Sequence, residues 1–92
     1  MYTIYFTKKM KKDLKLMKKR GKDISMLTDV LDILSCGQKL AERYREHQLS
    51  GDKTDFRECH IEPDWLLIYR IEKDKLILTA TETGTHADLF GM

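Results

Sequence analysis

The fold is decided by residues 56–70, which read F-R-E-C-H-I-E-P-D-W-L-L-I-Y-R. The segments on either side of Glu62-Pro63-Asp64 are rich in aromatic and branched residues, which fit a pleated sheet. Proline presets φ for the second position of a tight turn, and aspartate tolerates the position that follows. We therefore predict a β-hairpin whose bend brings His60 and Asp64 close together.

The hairpin is predicted to belong to a larger sheet. The pattern favours strands at 56–61 and 65–71, a turn at 72–75 and a last strand at 76–81. Residues 65–71 are apolar at nearly every position, which is typical of a central strand covered on both faces.

The N-terminal part of the chain predicts one strand and two helices. Residues 1–6 alternate in the manner of a strand. Thr7 is placed to cap a helix that Gly21 ends, and Asp23 is placed to cap a second helix that Gly37 closes. The apolar residues of both helices recur at helical spacing, which predicts that they are core residues. They are Met10, Leu14, Met17, Ile24, Leu27, Val30, Leu31 and Leu34.

Together these elements predict a single α+β domain over residues 1–92, with the order β-α-α-β-β-β and an antiparallel-type sheet packed against a helical hairpin.

Residues 38–55 lack a sustained period and predict a long connection with one helical turn near 40–44. Because long loops are usually functional, we expect His47 to face a site. The tail, 83–92, is too short for a substantial helix but ends in two large apolar residues, so it must fold back onto the domain. If Leu89 and Phe90 pack at the sheet edge, His86 is held near the strand ends.

Charge is distributed unevenly along the chain. The formal net charge is +2, yet residues 8–22 carry nine Lys and Arg against one acidic residue, Asp13. A solvated helix face is one interpretation of this cluster, and a surface for phosphates or an acidic partner is the other. Lys11 and Lys15 are our candidate RNA-binding residues on this helix.

Two further features limit the setting in which the protein acts. No apolar run approaches the ~18 to 20 residues that span a bilayer, and the N-terminus has a lysine-rich helix pattern instead of a signal peptide. We predict a cytoplasmic protein with no membrane partner. Cys36 and Cys59 lack the spacing and number of a disulfide scaffold, which predicts two small, partly buried side chains.

Histidine chemistry dominates the candidate site. His47, His60 and His86, with Asp64 and an aromatic residue, are the groups that RNA cleavage without a cofactor needs. A base takes the proton of the 2′-hydroxyl, an acid protonates the leaving 5′-oxygen, and an aromatic ring holds a splayed base. A metal site built from the same residues is the competing chemistry, although no pair shows the short spacing of dedicated metal motifs.

Three blocks of the sequence resemble the YafQ-like branch of the RelE/ParE toxin superfamily. They are Y-R-E-H-Q-L-S-G at 44–51, F-R-E-C-H-I-E-P-D-W-L-L-I-Y at 56–69 and T-G-T-H-A-D-L-F-G at 83–91. The resemblance implies a RelE-like fold and a type II toxin that enters the ribosomal A site, cuts translated mRNA and so inhibits translation. The partners that it implies are ribosomal RNA, mRNA and a DinJ-like ribbon-helix-helix antitoxin, with operator DNA reached only through the antitoxin complex.

The resemblance also implies roles for individual residues. It makes His86 the general acid, puts His60 and Asp64 near the attacking hydroxyl, and gives His47 the task of holding the phosphate. Which histidine is the base stays open. The residues matching the family's catalytic groups are His47, His60, Asp64 and His86, and those matching its substrate-binding aromatics are Trp65 and Phe90.

Two positions depart from the family pattern. Glu82 stands where this branch often has a basic residue, and Lys53 stands where it often has tryptophan. We therefore expect weaker phosphate binding beside His86 and a different substrate preference. The alternative function on the same scaffold is a ParE-like inhibitor that acts by protein binding without catalysis, a class that has no use for three histidines at loop and turn positions.

Overall fold

The computed structural model describes residues 1–51 and 55–91, and the expectation about Lys53 falls outside them. It confirms the α+β class. The elements in chain order are β1 (Thr3–Phe6), α1 (Lys8–Lys19), α2 (Ile24–Ser35), a short 3-10 helix (Glu42–Tyr44), β2 (His47–Gln48), β3 (Arg57–Glu62), β4 (Trp65–Glu72), β5 (Ile77–Gly84) and α3 (His86–Phe90). The predicted order is therefore present, with β2 and α3 as additions.

The sheet has five strands in the order β1-β5-β4-β3-β2. The strands β1 and β5 run parallel, while the other three neighbouring pairs are antiparallel. β4 is central, as its apolar sequence predicted. The strand β2 consists of His47 and Gln48, which pair with Glu58 and Arg57. The prediction of a connection with one helical turn over 38–55 missed this strand, because two residues are too few to show a period.

Capping explains where the two long helices begin. The hydroxyl of Thr7 accepts a hydrogen bond from the backbone N–H of Met10 at 3.0 Å. The carboxylate of Asp23 accepts one from Ser25 N–H, also at 3.0 Å.

Both helices pack on one face of the sheet, where the core contains most of the apolar residues that were predicted from helical spacing. Those that are buried are Met10, Met17, Leu27, Val30, Leu31 and Leu34, while Leu14 and Ile24 are partly buried.

β4 is buried on both faces. Trp65, Leu67 and Tyr69 point into the core beneath the helices. Leu66 and Ile68 point to the opposite face, since side chains alternate along a strand, and they too are buried. This second face is the one that carries His60, because His60 lies directly opposite Leu66 in the ladder and such partners share a face.

The C-terminal tail forms a helix that the sequence analysis did not predict. Its first turn is fixed by a capping box, in which Asp88 N–H donates to the Thr85 hydroxyl at 3.1 Å and Thr85 N–H donates to the Asp88 carboxylate at 2.9 Å. Gly91, with φ of +72°, ends α3. His86 is therefore the first residue of a short, well-defined helix.

The two cysteines differ in exposure. Cys59 is buried on β3, and burial raises the pKa of its thiol to about 12. Cys36 is exposed, so the prediction that both are partly buried is wrong for this residue, which follows the last turn of α2.

Candidate active site

The three histidines come together in a row on the face of the sheet opposite α1 and α2. His47 comes from β2, His60 from β3, and His86 from the start of α3. The ring centroids of His47 and His60 are 6.4 Å apart, and those of His60 and His86 are 5.8 Å apart. Three segments that are distant in sequence thus bring their imidazoles within reach of one small ligand group, with His60 in the middle.

The Asp64 carboxylate holds His86. Its Oδ1 atom lies 2.6 Å from Nδ1 of the His86 ring and 2.9 Å from the backbone nitrogen of the same residue. The backbone N–H, followed by the ring, keeps the pKa of Asp64 below its usual value. Since Nδ1 donates to the carboxylate, Nε2 is the ring atom left to meet a ligand.

The sequence analysis paired Asp64 with His60, whereas the hydrogen bonds of Asp64 go to His86. The reason is the register of the sheet. Gly84, the last residue of β5, lies opposite Leu66 near the start of β4. His86, the second residue after β5, therefore arrives beside the hairpin turn, where its backbone and ring meet the carboxylate.

His60 has an environment that favours its neutral form. Burial, the largest cause, lowers the pKa of His60, and the nearby Arg45 acts in the same direction, although Glu58 opposes them. Its Nδ1 atom is buried and has no hydrogen-bond partner among residues 1–51 and 55–91. A neutral imidazole can accept a proton, which is what a general base requires.

His47 is held between two acceptors. Its Nδ1 atom is 3.0 Å from the Arg45 carbonyl oxygen, and its Nε2 atom is 3.4 Å from the Glu58 carboxylate. The segment before it is anchored by Glu46, which accepts hydrogen bonds from Arg57 and from the Tyr69 hydroxyl. These two contacts fix the orientation of the His47 ring beside His60.

Glu58 is a site residue that the sequence analysis missed. Its side chain is only 7% exposed, although it is a carboxylate facing an imidazole. The signal was available, since Glu58 precedes His60 by two residues on a strand and must share its face. A charged residue at a covered position of a strand is uncommon unless it has a partner.

The structure does not support contact between Trp65 and substrate. The Trp65 side chain has no exposed surface, and its indole N–H donates to the Thr83 hydroxyl at 2.9 Å inside the core. Trp65 is two residues from Leu67 on β4, so both side chains point to the same face, under the helices. Trp65 therefore supports the hairpin from below.

The other predicted binding residues lie on the surface. Phe90 is 39% exposed at the end of α3, one helical turn beyond His86. Lys11 and Lys15 are exposed on α1, and Lys11 lines a cavity with Tyr5 and Leu31 that does not include the histidines. The structure thus brings Phe90 to the element that carries His86, but it leaves the lysines on a separate part of the surface.

Glu82 is partly neutralised by a neighbouring lysine. Its carboxylate lies 3.8 Å from the ammonium of Lys9, which also contacts Asp13 at 3.0 Å. The ammonium group offsets part of the negative charge of Glu82.

Neither a metal-binding group nor a membrane-spanning helix is found in the described part of the chain. Within residues 1–51 and 55–91, no group of three or more His, Cys, Asp or Glu side chains is arranged to hold a metal ion. None of the helices in the same ranges is long and apolar enough to cross a membrane.

Comparison with known proteins gives consistent results. The family described as the bacterial toxin of a type II toxin-antitoxin system, YafQ, matches residues 2–91. The mRNA interferase toxin YafQ of Escherichia coli K12 is 44% identical over 81 residues, which cover 87% of this chain and 86% of that protein. A metal-bound toxin from Helicobacter pylori superposes with a TM-score of 0.92 at 44% identity, covering 98% of this chain and 100% of the other. In the DinJ-YafQ complex of E. coli, the matching chain has a TM-score of 0.89 at 38% identity, covering 99% and 100%.

Proposed function

Because the chain belongs to the YafQ family of type II toxins and is an endoribonuclease of the mRNA interferase kind, we propose that it cuts translated mRNA in the ribosomal A site by metal-independent acid-base chemistry. The observation that carries this proposal is the His86 ring, held by Asp64 at 2.6 Å, with its centroid 5.8 Å from that of the neutral His60. A scissile phosphate that lies over these two rings has an acid and a base within reach.

His60 acts as the base in this mechanism. It accepts the proton of the 2′-hydroxyl, and the 2′-oxygen attacks the adjacent phosphorus atom. The lowered pKa of His60 supports this role, since the ring is neutral at neutral pH. The new bond between the 2′-oxygen and phosphorus closes a 2′,3′-cyclic phosphate as the bond from phosphorus to the 5′-oxygen breaks.

His86 acts as the acid. Its Nε2–H protonates the leaving 5′-oxygen, which becomes a 5′-hydroxyl. Asp64 holds the ring in the tautomer and orientation that this transfer needs, through contacts with its Nδ1 atom and with the backbone N–H. His47, between Arg45 and Glu58, stabilises the charge that develops on the phosphate oxygens.

The partner that silences the toxin is, in this proposal, an antitoxin like the DinJ of the E. coli complex, with a ribbon-helix-helix domain and an acidic segment that covers α1 or the histidine row. Operator DNA is reached only through that complex, and the toxin acts in the cytoplasm. Hydrogen exchange of the free and bound toxin tests this part. Protection that avoids both α1 and the histidine row would contradict it.

The mechanism is tested by single-turnover cleavage of mRNA on programmed ribosomes. We expect His86→Ala to lose ~10² to 10⁴ in rate, the usual worth of a positioned proton donor. Ala87→Ser, an exposed change at the next residue of α3, is the matched control and should cut at the wild-type rate. The products should carry 2′,3′-cyclic phosphate and 5′-hydroxyl ends, with no change of rate in the presence of a chelator. Growth arrest without cleavage would instead favour the ParE-like binding function.

A further inference from the structure

A cavity of about 470 Å³ opens beside His60. This volume lies in the range of ~300 to 1,000 Å³ that small-molecule sites occupy. Its walls come from α2, the 3-10 helix and the β3-β4 turn. The lining residues that matter here are Met26, Asp29, Arg43, Tyr44, Arg45 and His60. Neither Asp64 nor His86 lines the cavity, so it extends from the proposed base and not from the proposed acid.

One wall of the cavity carries a cation-π pair of neighbouring residues. The guanidinium of Arg43 lies 4.8 Å from the centroid of the Tyr44 ring, and it also donates a hydrogen bond of 2.9 Å to the Tyr44 hydroxyl. Arginine planes and tyrosine rings are the surfaces on which unstacked RNA bases lie. Because these two side chains already contact each other, they lose little conformational freedom when a base stacks on them.

A carboxylate faces the same cavity from α2. Asp29 is exposed, and within residues 1–51 and 55–91 its side chain has no hydrogen-bond or ion-pair partner. A carboxylate accepts hydrogen bonds from the exocyclic amino groups of adenine, cytosine and guanine. Uracil has no amino group, and its one imide N–H is flanked by two carbonyl oxygens that repel a carboxylate. Asp29 is thus placed to select among bases.

Arg45 lies at the junction of the cavity and the histidine row. Its backbone has φ of 49° and ψ of 45°, a left-handed conformation that is uncommon for a residue other than glycine and that often marks functional positions. The conformation is held by the contact between its carbonyl oxygen and the His47 ring. Arg45 and His60 both line the cavity, and an arginine at this place can pair with a phosphate.

We propose that this cavity binds the nucleotide that carries the attacking 2′-hydroxyl, on the 5′ side of the cut bond. Its base lies against Arg43 and Tyr44, its amino group meets Asp29, and Arg45 pairs with a phosphate. The inference rests on the proposed function, which makes His60 the base. It predicts discrimination against uridine at this position of the mRNA.

The test uses programmed ribosomes with mRNAs that differ only in the nucleotide 5′ of the cut bond. We expect wild-type protein to cut after uridine about tenfold or more slowly than after the other three, the usual worth of a hydrogen bond to a charged group. Asp29→Ala should lose this discrimination. Asp32 is exposed one turn further along α2 and lines the separate cavity that contains Lys11. Asp32→Ala should retain the discrimination. A folded Asp29→Ala protein with the wild-type order of rates would overturn the inference, as would a wild-type protein that cuts after all four equally.

A second measurement separates this inference from the proposed function. Short RNAs with a single 2′-deoxy nucleotide 5′ of the scissile bond lack the attacking hydroxyl and are not cut. Titrated into the free protein, they should shift the NMR signals of Asp29, Tyr44 and Arg45, with a smaller effect in Asp29→Ala. If wild-type protein cuts no ribosome-bound mRNA, the proposed function fails, but the titration still tests whether the cavity binds RNA. Shifts that spare these three residues would overturn the inference.

Discussion

The guanidinium of Arg20 donates two hydrogen bonds to the carboxylate of Asp88, at 2.5 and 3.1 Å, across 68 positions of sequence. Arg20 follows the last turn of α1, and Asp88 forms the capping box of α3. This contact, the largest cause, keeps the pKa of Asp88 far below its usual range. The basic helix thus fixes the short helix that begins with His86.

We predict that Arg20→Gln lowers the rate of mRNA cleavage several-fold while the fold is kept. The bidentate contact is lost, so α3 gains freedom and the His86 ring is less well placed for proton transfer. Lys19→Gln removes the same charge from the same turn of α1 without touching Asp88, and it should leave the single-turnover rate unchanged. Arg20→Lys keeps the charge but not the two-pronged geometry, and it should recover part of the rate. Equal rates for Arg20→Gln and Lys19→Gln would contradict this positioning role.

Local signals in the sequence were sufficient for the long elements. Thr7 and Asp23 cap α1 and α2 through side chains that the sequence displays, and the apolar period of each helix identifies its buried face. The central position of β4 followed from its apolar run. Pairing across long separations has no such local signal. The contact of Asp64 with His86 depends on the register that sets Leu66 opposite Gly84, and no pattern within either segment states that register.

For Trp65, two signals in the sequence point in different directions. The alternation of β4 assigns Trp65 to the same face as Leu67 and Tyr69, and that face is the core. The resemblance to a toxin family favoured a substrate contact instead. The burial of the ring favours a structural role, and the substrate contact stays a prediction that a variant of Trp65 can test.

The position of Trp65 in the core leads to a prediction about stability. Trp65→Phe should lower the free energy of unfolding by about 1 to 3 kcal/mol, because the buried Thr83 hydroxyl loses the indole donor. The cleavage rate at a temperature well below melting should stay near that of the wild type. A double-mutant cycle with Thr83→Val, read by denaturant unfolding, isolates the hydrogen bond from the loss of packing. A stable Trp65→Phe protein with a large loss of mRNA affinity would restore the substrate-binding role.

The lowered pKa of His60 makes both the stability of the fold and the rate of cleavage depend on pH, in a direction that can be predicted. The unfolded chain binds a proton on this residue near the usual value of 6.5, whereas the folded chain binds it only at lower pH. The contribution of His60 to stability is therefore complete above pH 6.5 and is lost as the pH falls through the folded pKa. The cleavage rate should fall over the same pH range, since only the neutral ring accepts the proton of the 2′-hydroxyl.

This dependence is measured as the single-turnover rate and the free energy of unfolding between about pH 5 and 8, the range in which histidine titrates. We expect the acid limb of the wild-type rate to have its midpoint below pH 6.5. His60→Gln should cut far more slowly and lose that limb, and its stability should vary less over the same range. A midpoint above 6.5 in the wild type would assign the limb to another group.

The lysines of α1 give the last prediction. Lys11, Lys15 and Lys18 are exposed and fall at i, i+4 and i+7, so they share one face of the helix. We expect this face to bind ribosomal RNA phosphates. Reversal of all three to glutamate should then weaken ribosome association and reduce the slope of log affinity against log salt by about 2 to 3, since each phosphate contact contributes roughly 0.7 to 0.9.

The matched control reverses Lys39, Lys73 and Lys75, three exposed lysines outside α1, and so changes the net charge by the same amount. If binding depends on the α1 face, the control loses little affinity and keeps the wild-type salt slope, whereas a response to net charge alone would weaken both proteins equally. Co-sedimentation with ribosomes at several salt concentrations distinguishes these outcomes. Ribosome association that is unchanged by the α1 reversal would show that the nine basic residues of 8–22 form a solvated helix face, and the search for the ribosome-binding surface would move to the face that carries the histidine row.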